Sequence, residues 1–240
     1  MLRIFTDFDG PIMDVSERYY QVYQYCLTEA KEPTQPVKVL SKEDFWQLKR
    51  AQVPERQIGH ISGLHDDQAR QFAMLRRETV HNPTYLKHDL LLPGAVEALE
   101  NIQALNAHLV VMTMRRTKTL DWALAHHQLE RFFPPEVRYC LPDDHVKTHD
   151  DIEKTRLMEK ALAELPEACT AWMIGDTEAD IAAARAHDVP VVAVLSGIRN
   201  QERLETYGPD CIVDNLQAAV AEIFSHVRSQ VSPSFKKGIA

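Results

Sequence analysis

Short apolar segments rich in β-branched residues recur along the chain and are mostly separated by segments of helical length. The predicted strands are Leu2–Phe5, Leu109–Met112, Val137–Cys140, Ala171–Ile174, Val191–Val194 and Cys211–Val213. The predicted helices that follow them are Gly94–Leu105, Thr119–Leu129, Lys154–Leu165, Ile181–His187 and Leu216–His226. Because strands joined by helices form right-handed crossovers, this pattern predicts an α/β fold whose parallel sheet carries helices on both faces.

One long segment interrupts the alternation of strands and helices. Residues 16–92 contain no convincing strand and are predicted to form helices, one capped by Ser16, one after Ser41 and one over Gln68–Val80. We therefore expect an all-helical domain of residues 16–92 inserted into an α/β core of residues 1–15 and 93–230. Residues 231–240 lack periodicity and are expected to be a flexible tail.

Composition and charge narrow the possible function classes. The chain has 240 residues, of which 45% are hydrophobic and 26% charged, and its net charge is −8. An acidic balance gives no support to nucleic-acid binding, which needs a basic surface. Apolar runs are short, and acidic residues occur too early for a secretory signal, so we expect a cytoplasmic protein with no membrane partner. The widely spaced cysteines predict neither a zinc site nor a disulfide framework.

Three predicted strands run into polar residues. The first strand leads into Asp7 and Asp9, the second into Thr113, and the fourth into Asp176, with Asp180 four residues later. In an open parallel sheet, ligands bind beyond the carboxyl ends of the strands, near the point where the strand order reverses. The sequence therefore predicts one shared site at this edge of the sheet.

The residue types at these strand ends favour phosphoryl chemistry. Carboxylates gathered in a cleft repel one another unless a cation lies among them, and Mg²⁺ prefers oxygen ligands together with substrate phosphate. Asp7 can then attack phosphorus as a nucleophile. The charge on the attacked phosphate needs a donor and a cation, which Thr113 and Lys154 can supply.

Four short motifs also occur in the order found in the haloacid dehalogenase superfamily, which this sequence resembles over nearly the whole predicted core. Asp7-Phe8-Asp9-Gly10 resembles the first motif, and Thr113 the second. Lys154 resembles the third motif, and the segment Gly175–Asp180 the fourth. Each motif alone is short, but their combination and order are specific.

The resemblance implies a role for each matched position. Asp7 is expected to be the nucleophile, and Asp9 the general acid for the leaving oxygen and then the base for water. Thr113 and Lys154 are expected to hold the phosphoryl group. The implied magnesium ligands are Asp7, the backbone carbonyl of Asp9, Asp176 and Asp180.

The helical insertion after the first motif resembles the cap of the phosphoglycolate phosphatase and β-phosphoglucomutase branch of that superfamily. The expected fold is thus a Rossmann-like α/β core with an inserted all-helical cap. In such relatives the cap closes over the core, and its loops help to select the substrate. We expect the cap loop around Gly59–His65 to influence substrate choice.

Two positions depart from the superfamily pattern. Pro11 follows Gly10 where threonine or valine is usual, and Thr155 follows Lys154 where proline is frequent. Lys147 is therefore a rival for the phosphate-binding lysine. Arg115 is close enough to Thr113 to reach a phosphate, although its position favours an ordinary surface arginine.

These observations together predict a magnesium-dependent phosphatase that acts on a small phosphorylated metabolite. A phosphomutase of the same superfamily is the first alternative, because the same residues can return the phosphoryl group to a bound sugar. A phospho-acceptor signalling domain or a binding domain is a more distant alternative. Asp9 argues against dehalogenase and phosphonatase relatives, which lack this second acid. The substrate and the oligomeric state are left open by the sequence.

Overall fold

A parallel sheet forms the core of the protein in the computed structural model, which describes residues 1–146 and 148–231. The strands are β1 Leu2–Thr6, β2 Met13–Asp14, β3 Leu90–Leu91, β4 His108–Arg116, β5 Arg138–Leu141, β6 Thr170–Gly175, β7 Val191–Val194 and β8 Cys211–Val213. The helices are α1 Ser16–Ala30, α2 Lys42–Arg50, α3 Glu55–Ile61, α4 Asp66–Thr79, α5 Pro83–Leu86, α6 Ala95–Ala104, α7 Thr117–His126, α8 Asp150–Glu164, α9 Glu178–Ala186, α10 Gln201–Tyr207 and α11 Leu216–Val231.

The large sheet has the strand order β5-β4-β1-β6-β7-β8, and every neighbouring pair is parallel. β1 lies between β4 and β6, with Thr6 opposite both Val111 and Ile174. Ile4 and Phe5 of β1 are fully buried, as expected for a strand covered on both faces. The chain reverses its direction of strand addition at β1, so the carboxyl ends of β1, β4 and β6 meet. The prediction of an α/β fold with a Rossmann-like parallel sheet is confirmed.

The helices α1–α5 form an all-helical cap that has its own apolar cluster. On α1 the buried side chains of Val22, Cys26 and Leu27 recur at helical spacing and face one side. Phe45 of α2 and Phe72 of α4 are fully buried in the same cluster. The boundaries predicted for this domain, residues 16–92, stay a prediction.

Several short elements were not expected from the sequence, among them β3, α3 and α10. β3 lies within the segment predicted to be helical and pairs antiparallel with β2, matching Leu91 with Met13. A strand of two residues is too short to show periodicity. The helices α3 and α10 each have seven residues, which is about two turns and too short for a clear apolar stripe.

Several helix termini also differ from prediction, including those of α1, α8 and α11. α1 begins at Ser16, but Ser16 does not cap it; the residue before the helix is Val15, and the Ser16 N–H donates to Asp14 Oδ1 at 2.8 Å. α8 begins at Asp150, so Lys154 is the fifth residue of this helix rather than its first. The first turn of α8 is acidic, which favours a helix N-terminus. α11 continues to Val231, beyond its predicted end at His226.

Two of the sequence predictions fall outside the described residues. Lys147, the rival phosphate-binding lysine, is one, and residues 232–240 of the expected tail are the other. Within the described residues, no helix combines the length and apolar character needed to cross a bilayer.

Candidate active site

The carboxyl ends of β1, β4 and β6 surround a cavity of about 100 Å³. Five of the predicted site residues line this cavity, namely Asp7, Asp9, Thr113, Lys154 and Asp176. The sixth, Asp180, lies behind them and is fully buried. The structure therefore brings the residues chosen from sequence into one site.

Lys154 places a positive charge directly beside Asp7. Its Nζ lies 2.6 Å from Asp7 Oδ2 and also contacts Asp180 Oδ1. Burial alone would lower the pKa of Lys154, but the charges of Asp180 and Asp7 outweigh it and raise the pKa. The other oxygen of Asp7, Oδ1, accepts a hydrogen bond from the Phe8 N–H at 2.6 Å. Lys154 therefore stays protonated. The contacts with Lys154 and with the Phe8 N–H fix both oxygens of Asp7.

Asp176 is enclosed by backbone. Its Oδ2 accepts a hydrogen bond from the Ile198 N–H at 2.7 Å. Gly10 (φ +94°) and Gly197 pass so close that a Cβ atom on them would lie 2.3 Å and 1.9 Å from atoms of the Asp176 carboxyl group. Gly197 follows β7, whose end carries none of the predicted site residues. The sequence pattern therefore gave no reason to assign Gly197 to the site. Any larger residue at position 10 or 197 would displace the carboxylate.

Asp180 orders the loop that carries Asp176. Its Oδ2 accepts hydrogen bonds from the backbone N–H of Asp176 at 3.1 Å and of Thr177 at 3.0 Å, and from Thr177 Oγ1 at 2.7 Å. Thr177 is the N-cap of α9, so this arrangement is a variant of the capping box in which Asp replaces Glu. Asp180 thereby couples the start of α9 to Lys154.

Three acidic side chains lie close together in this site. One oxygen of each of Asp7, Asp176 and Asp180 lies within 4.8 Å of the others. Burial raises the pKa of Asp7 to about 7 against the opposing charge of Lys154. Burial and then the charges of Asp7 and Asp180 raise the pKa of Asp176 well above its usual range. Because the donors are all carboxylate oxygens and one lysine is shared between Asp7 and Asp180, the set fits a hard divalent cation such as Mg²⁺.

Asp9 has the opposite electrostatic environment. Its Oδ2 lies 2.8 Å from Nη2 of Arg18, and its Oδ1 accepts a hydrogen bond from Nε of Arg115 at 2.8 Å. Burial would raise the pKa of Asp9, but the guanidinium groups of Arg115 and Arg18 outweigh it and hold the pKa well below its usual range. The pKa values of the two aspartates of the first motif are therefore shifted in opposite directions, although the residues lie two positions apart.

Arg115 is buried, with 3% of its surface exposed, so its interpretation as a surface arginine is wrong. The physical reason is that β4 runs on to Arg116, beyond its predicted end. Alternation along the strand then places Arg115 on the same side as Thr113. The Arg115 N–H donates to Thr113 Oγ1 at 3.2 Å. Arg18 was not chosen from the sequence at all, because one arginine in a predicted helix carries no signal.

The cap contributes to the site through its first and last segments. Tyr19 and His81 line the cavity that holds Asp7. A second cavity, of about 1380 Å³, shares His81 and Arg115 with the first and is lined by cap residues between Arg77 and Leu86. Among the described residues, none from Gly59 to His65 lines either of these two cavities, and the influence of this segment on substrate choice stays a prediction.

The segment around Gly59 packs against another helix of the cap. Gly59 lies in α3, where a Cβ atom would lie 3.3 Å from Ala69 and Phe72. The helix α3 therefore packs against α4, and the cap residues that face the site come from elsewhere.

Comparison with known sequences gives two matches. The family model described as haloacid dehalogenase-like hydrolase matches residues 2–188. The pyrophosphatase PpaX of Oceanobacillus iheyensis is 25% identical over 127 residues, which are 52% of this chain and 56% of that protein. The chain thus matches little more than half the length of this curated relative.

Solved structures share the fold over nearly the full chain. A predicted phosphatase from Clostridium acetobutylicum has a TM-score of 0.67 and 20% identity, covering 93% of this chain and 98% of that one. A predicted phosphoglycolate phosphatase from Haemophilus somnus has a TM-score of 0.59 and 18% identity, covering 92% and 97%. At these identities the likeness concerns the fold, including the helical cap.

Proposed function

Because this chain belongs to the haloacid dehalogenase-like hydrolase family, we propose that it is a magnesium-dependent phosphatase that works through an aspartyl phosphate. The observation that carries the proposal is the convergence of Asp7, Thr113, Lys154 and Asp176 on one small cavity. Its substrate class is a small phosphorylated metabolite. Residues 16–92 serve in this proposal as a cap over the site.

In the first half-reaction on a phosphate monoester, an oxygen of the Asp7 carboxylate bonds to phosphorus and the ester P–O bond breaks. Asp9 in its protonated form gives its proton to the leaving oxygen, so an alcohol departs. Lys154 Nζ and the Thr113 hydroxyl balance the charge on the phosphoryl oxygens in transit.

In the second half-reaction, Asp9 is a carboxylate and takes a proton from water. The water oxygen bonds to phosphorus while the bond between phosphorus and the Asp7 oxygen breaks. Inorganic phosphate leaves, Asp7 is regenerated as a carboxylate, and Asp9 carries a proton again. Lys154, which contacts Asp7 at 2.6 Å, remains beside the nucleophile throughout.

Asp7, Asp176 and the backbone carbonyl of Asp9 are the proposed ligands of Mg²⁺. The ion would supply charge neutralisation among the carboxylates and on the phosphoryl oxygens. Asp180 was predicted as a further ligand. Its Oδ2 accepts three hydrogen bonds and its Oδ1 contacts Lys154, which favours a role in holding the loop and the lysine.

The sizes of the two cavities support a proposal in which the smaller one holds the reacting phosphoryl group and the larger one selects the substrate. The cavity at Asp7 has a volume of about 100 Å³, which is suited to a phosphoryl group. The larger cavity of about 1380 Å³ lies between the cap and the core and has room for the rest of a metabolite. The similarity to a pyrophosphatase makes inorganic pyrophosphate one candidate, and phosphoglycolate is another.

The test is release of inorganic phosphate by the purified full chain, measured across a panel that includes pyrophosphate, phosphoglycolate and sugar phosphates. We expect turnover with Mg²⁺, none in chelator, and little with Ca²⁺, which takes more oxygen ligands and can occupy both oxygens of Asp7. Asp7→Asn should be inactive, while the matched substitution Asp144→Asn at an exposed position should not change the rate.

Near-normal phosphate release by Asp7→Asn, with mass spectrometry excluding deamidation, would refute the nucleophile. Full activity in chelator would refute the metal. Turnover that requires a sugar bisphosphate and yields an isomerised sugar phosphate instead of free phosphate would identify a phosphomutase.

A further inference from the structure

Four buried charges meet beside the active-site cavity. Arg18 Nη2 lies 2.8 Å from Asp9 Oδ2, and Arg18 Nε lies 2.9 Å from Asp89 Oδ1. Arg115 closes the cluster, with Nε donating to Asp9 Oδ1 at 2.8 Å and Nη2 contacting Asp89 Oδ2. The four residues Asp9, Arg18, Asp89 and Arg115, here called the Asp9 cluster, carry two positive and two negative charges.

The members of the Asp9 cluster come from four separate places in the chain. Arg18 lies in the first turn of α1, where the chain enters the cap. Asp89 directly precedes β3, where the chain returns from the cap to the core. Asp9 follows β1, and Arg115 lies near the end of β4. Both chain connections between the cap and the core therefore contribute a residue to the Asp9 cluster.

Asp9 is the member of the cluster that can meet a substrate. About 25% of its side chain is exposed, whereas the side chains of Arg18 and Asp89 are fully buried and that of Arg115 is 2% exposed. Each oxygen of Asp9 is held by a different arginine, so the carboxyl group is constrained against rotation. Asp89 holds both arginines through ion pairs with Arg18 and Arg115.

We propose that Arg18, Arg115 and Asp89 are positioning residues that orient the carboxyl group of Asp9 for proton exchange with the leaving oxygen. This inference rests on the proposed function, in which Asp9 is the acid and base. In this proposal, the two chain connections between cap and core affect the rate of the chemical step through the orientation of Asp9. The alternative is an ion-pair cluster that only stabilises the fold.

The dependence of rate on the leaving group separates these two roles. Phenolate is a poor leaving group and needs a proton from Asp9, whereas 2,4-dinitrophenolate departs without one. The ratio kcat/KM includes the step in which the leaving group departs and excludes the later hydrolysis of the aspartyl phosphate. Misplacement of Asp9 should therefore lower kcat/KM for phenyl phosphate much more than for 2,4-dinitrophenyl phosphate.

The main variant is the charge-balanced pair Arg18→Met with Asp89→Asn, which avoids leaving one buried charge unpaired. For phenyl phosphate we expect kcat/KM to fall about 10- to 100-fold, within the total worth of acid–base catalysis. For 2,4-dinitrophenyl phosphate we expect a change of less than about 3-fold. The exposed ion pair of Arg131 and Glu100 gives a matched control, and its replacement by Met and Gln should change neither substrate.

A double-mutant cycle with Asp9→Asn adds a second criterion. If the pair acts through Asp9, adding it to Asp9→Asn should cause no further loss with phenyl phosphate. The proposal would be overturned if the pair variant lowered kcat/KM equally for both substrates. It would also be overturned if the pair lowered kcat/KM for phenyl phosphate by the same factor in the Asp9→Asn background as in the wild-type background. Should the pair variant not fold, Arg115→Lys keeps the charge but not the planar fork, and the same leaving-group comparison decides.

Failure of this inference can be told apart from failure of the proposed function. Asp7→Asn tests the nucleophile independently of the Asp9 cluster. An inactive Asp7→Asn protein together with a pair variant that behaves like wild type would leave the phosphatase standing and remove the positioning role.

Discussion

Replacing the proposed nucleophile by its amide should stabilise the metal-free protein while stopping catalysis. Asp7 is buried among carboxylates, and burial raises its pKa from 3.8 to about 7. An acid whose pKa is raised by folding binds its proton more tightly in the folded protein than in the unfolded protein. Relative to high pH, this tighter binding stabilises the fold fully below the unfolded pKa, and the stabilisation is lost as the pH rises through the folded pKa. At pH 8, ionised Asp7 therefore opposes folding, and Asp7→Asn removes that charge.

The size of the effect follows from the two pKa values of Asp7, 3.8 unfolded and about 7 folded. One unit corresponds to about 1.4 kcal/mol, so the penalty at pH 8 is about 4 kcal/mol and at pH 5 is about 2 kcal/mol. We expect Asp7→Asn to raise the free energy of unfolding of the metal-free protein by up to these amounts. Each kcal/mol should raise Tm by about 2–4 °C in a protein of this length.

The assay is urea unfolding in chelator at pH 5 and pH 8, with Asp144→Asn as the matched exposed control. The gain for Asp7→Asn should be about 2–3 kcal/mol larger at pH 8 than at pH 5, and the control should show no such difference. Mg²⁺ should stabilise the wild-type protein more than the variant, because the cation neutralises the charge that the variant lacks. A gain that is equal at both pH values, or a destabilised variant at pH 8, would refute the electrostatic reasoning.

Two further predictions concern Asp176 and the cap. Gly197→Ala should weaken Mg²⁺ binding about 10-fold or more by displacing Asp176; calorimetry measures this, and unchanged affinity would contradict it. Arg77→Ala, at the larger cavity, should change the ratio of kcat/KM between two good substrates by about 10-fold. Arg70→Ala on the same helix lies outside both cavities and should leave the ratio unchanged; equal effects of the two variants would exclude selection by this surface.

The position of the site could be predicted from sequence because a parallel sheet imposes it. Asp7, Thr113 and Asp176 follow apolar strands, and parallel strands bring such positions to one edge. No knowledge of side-chain packing was needed for that step. Lys154 lies beside Asp7, although its helix begins four residues earlier than expected.

The environment of Asp9 could not be predicted in the same way. Its partners Arg18 and Arg115 are single residues in ordinary helical and strand patterns, and Asp89 lies close to a strand of two residues. Their association depends on how the cap packs onto the core, which periodicity does not encode. The helical position of Gly59 was missed for the same reason, because a glycine beside histidines resembles a loop but here packs against another helix.

The opposite environments of Asp7 and Asp9 also bear on the order of events in the proposed reaction. Asp9 between two arginines is an anion, which is the form required to take a proton from water. The first half-reaction requires the protonated form instead. A bound phosphate dianion adds negative charge next to Asp9 and so favours its protonation, while a divalent cation beside Asp7 favours the ionised nucleophile. Substrate and metal binding would then shift both aspartates toward the states that phosphoryl transfer needs, and departure of the alcohol would leave Asp9 between its arginines as a base.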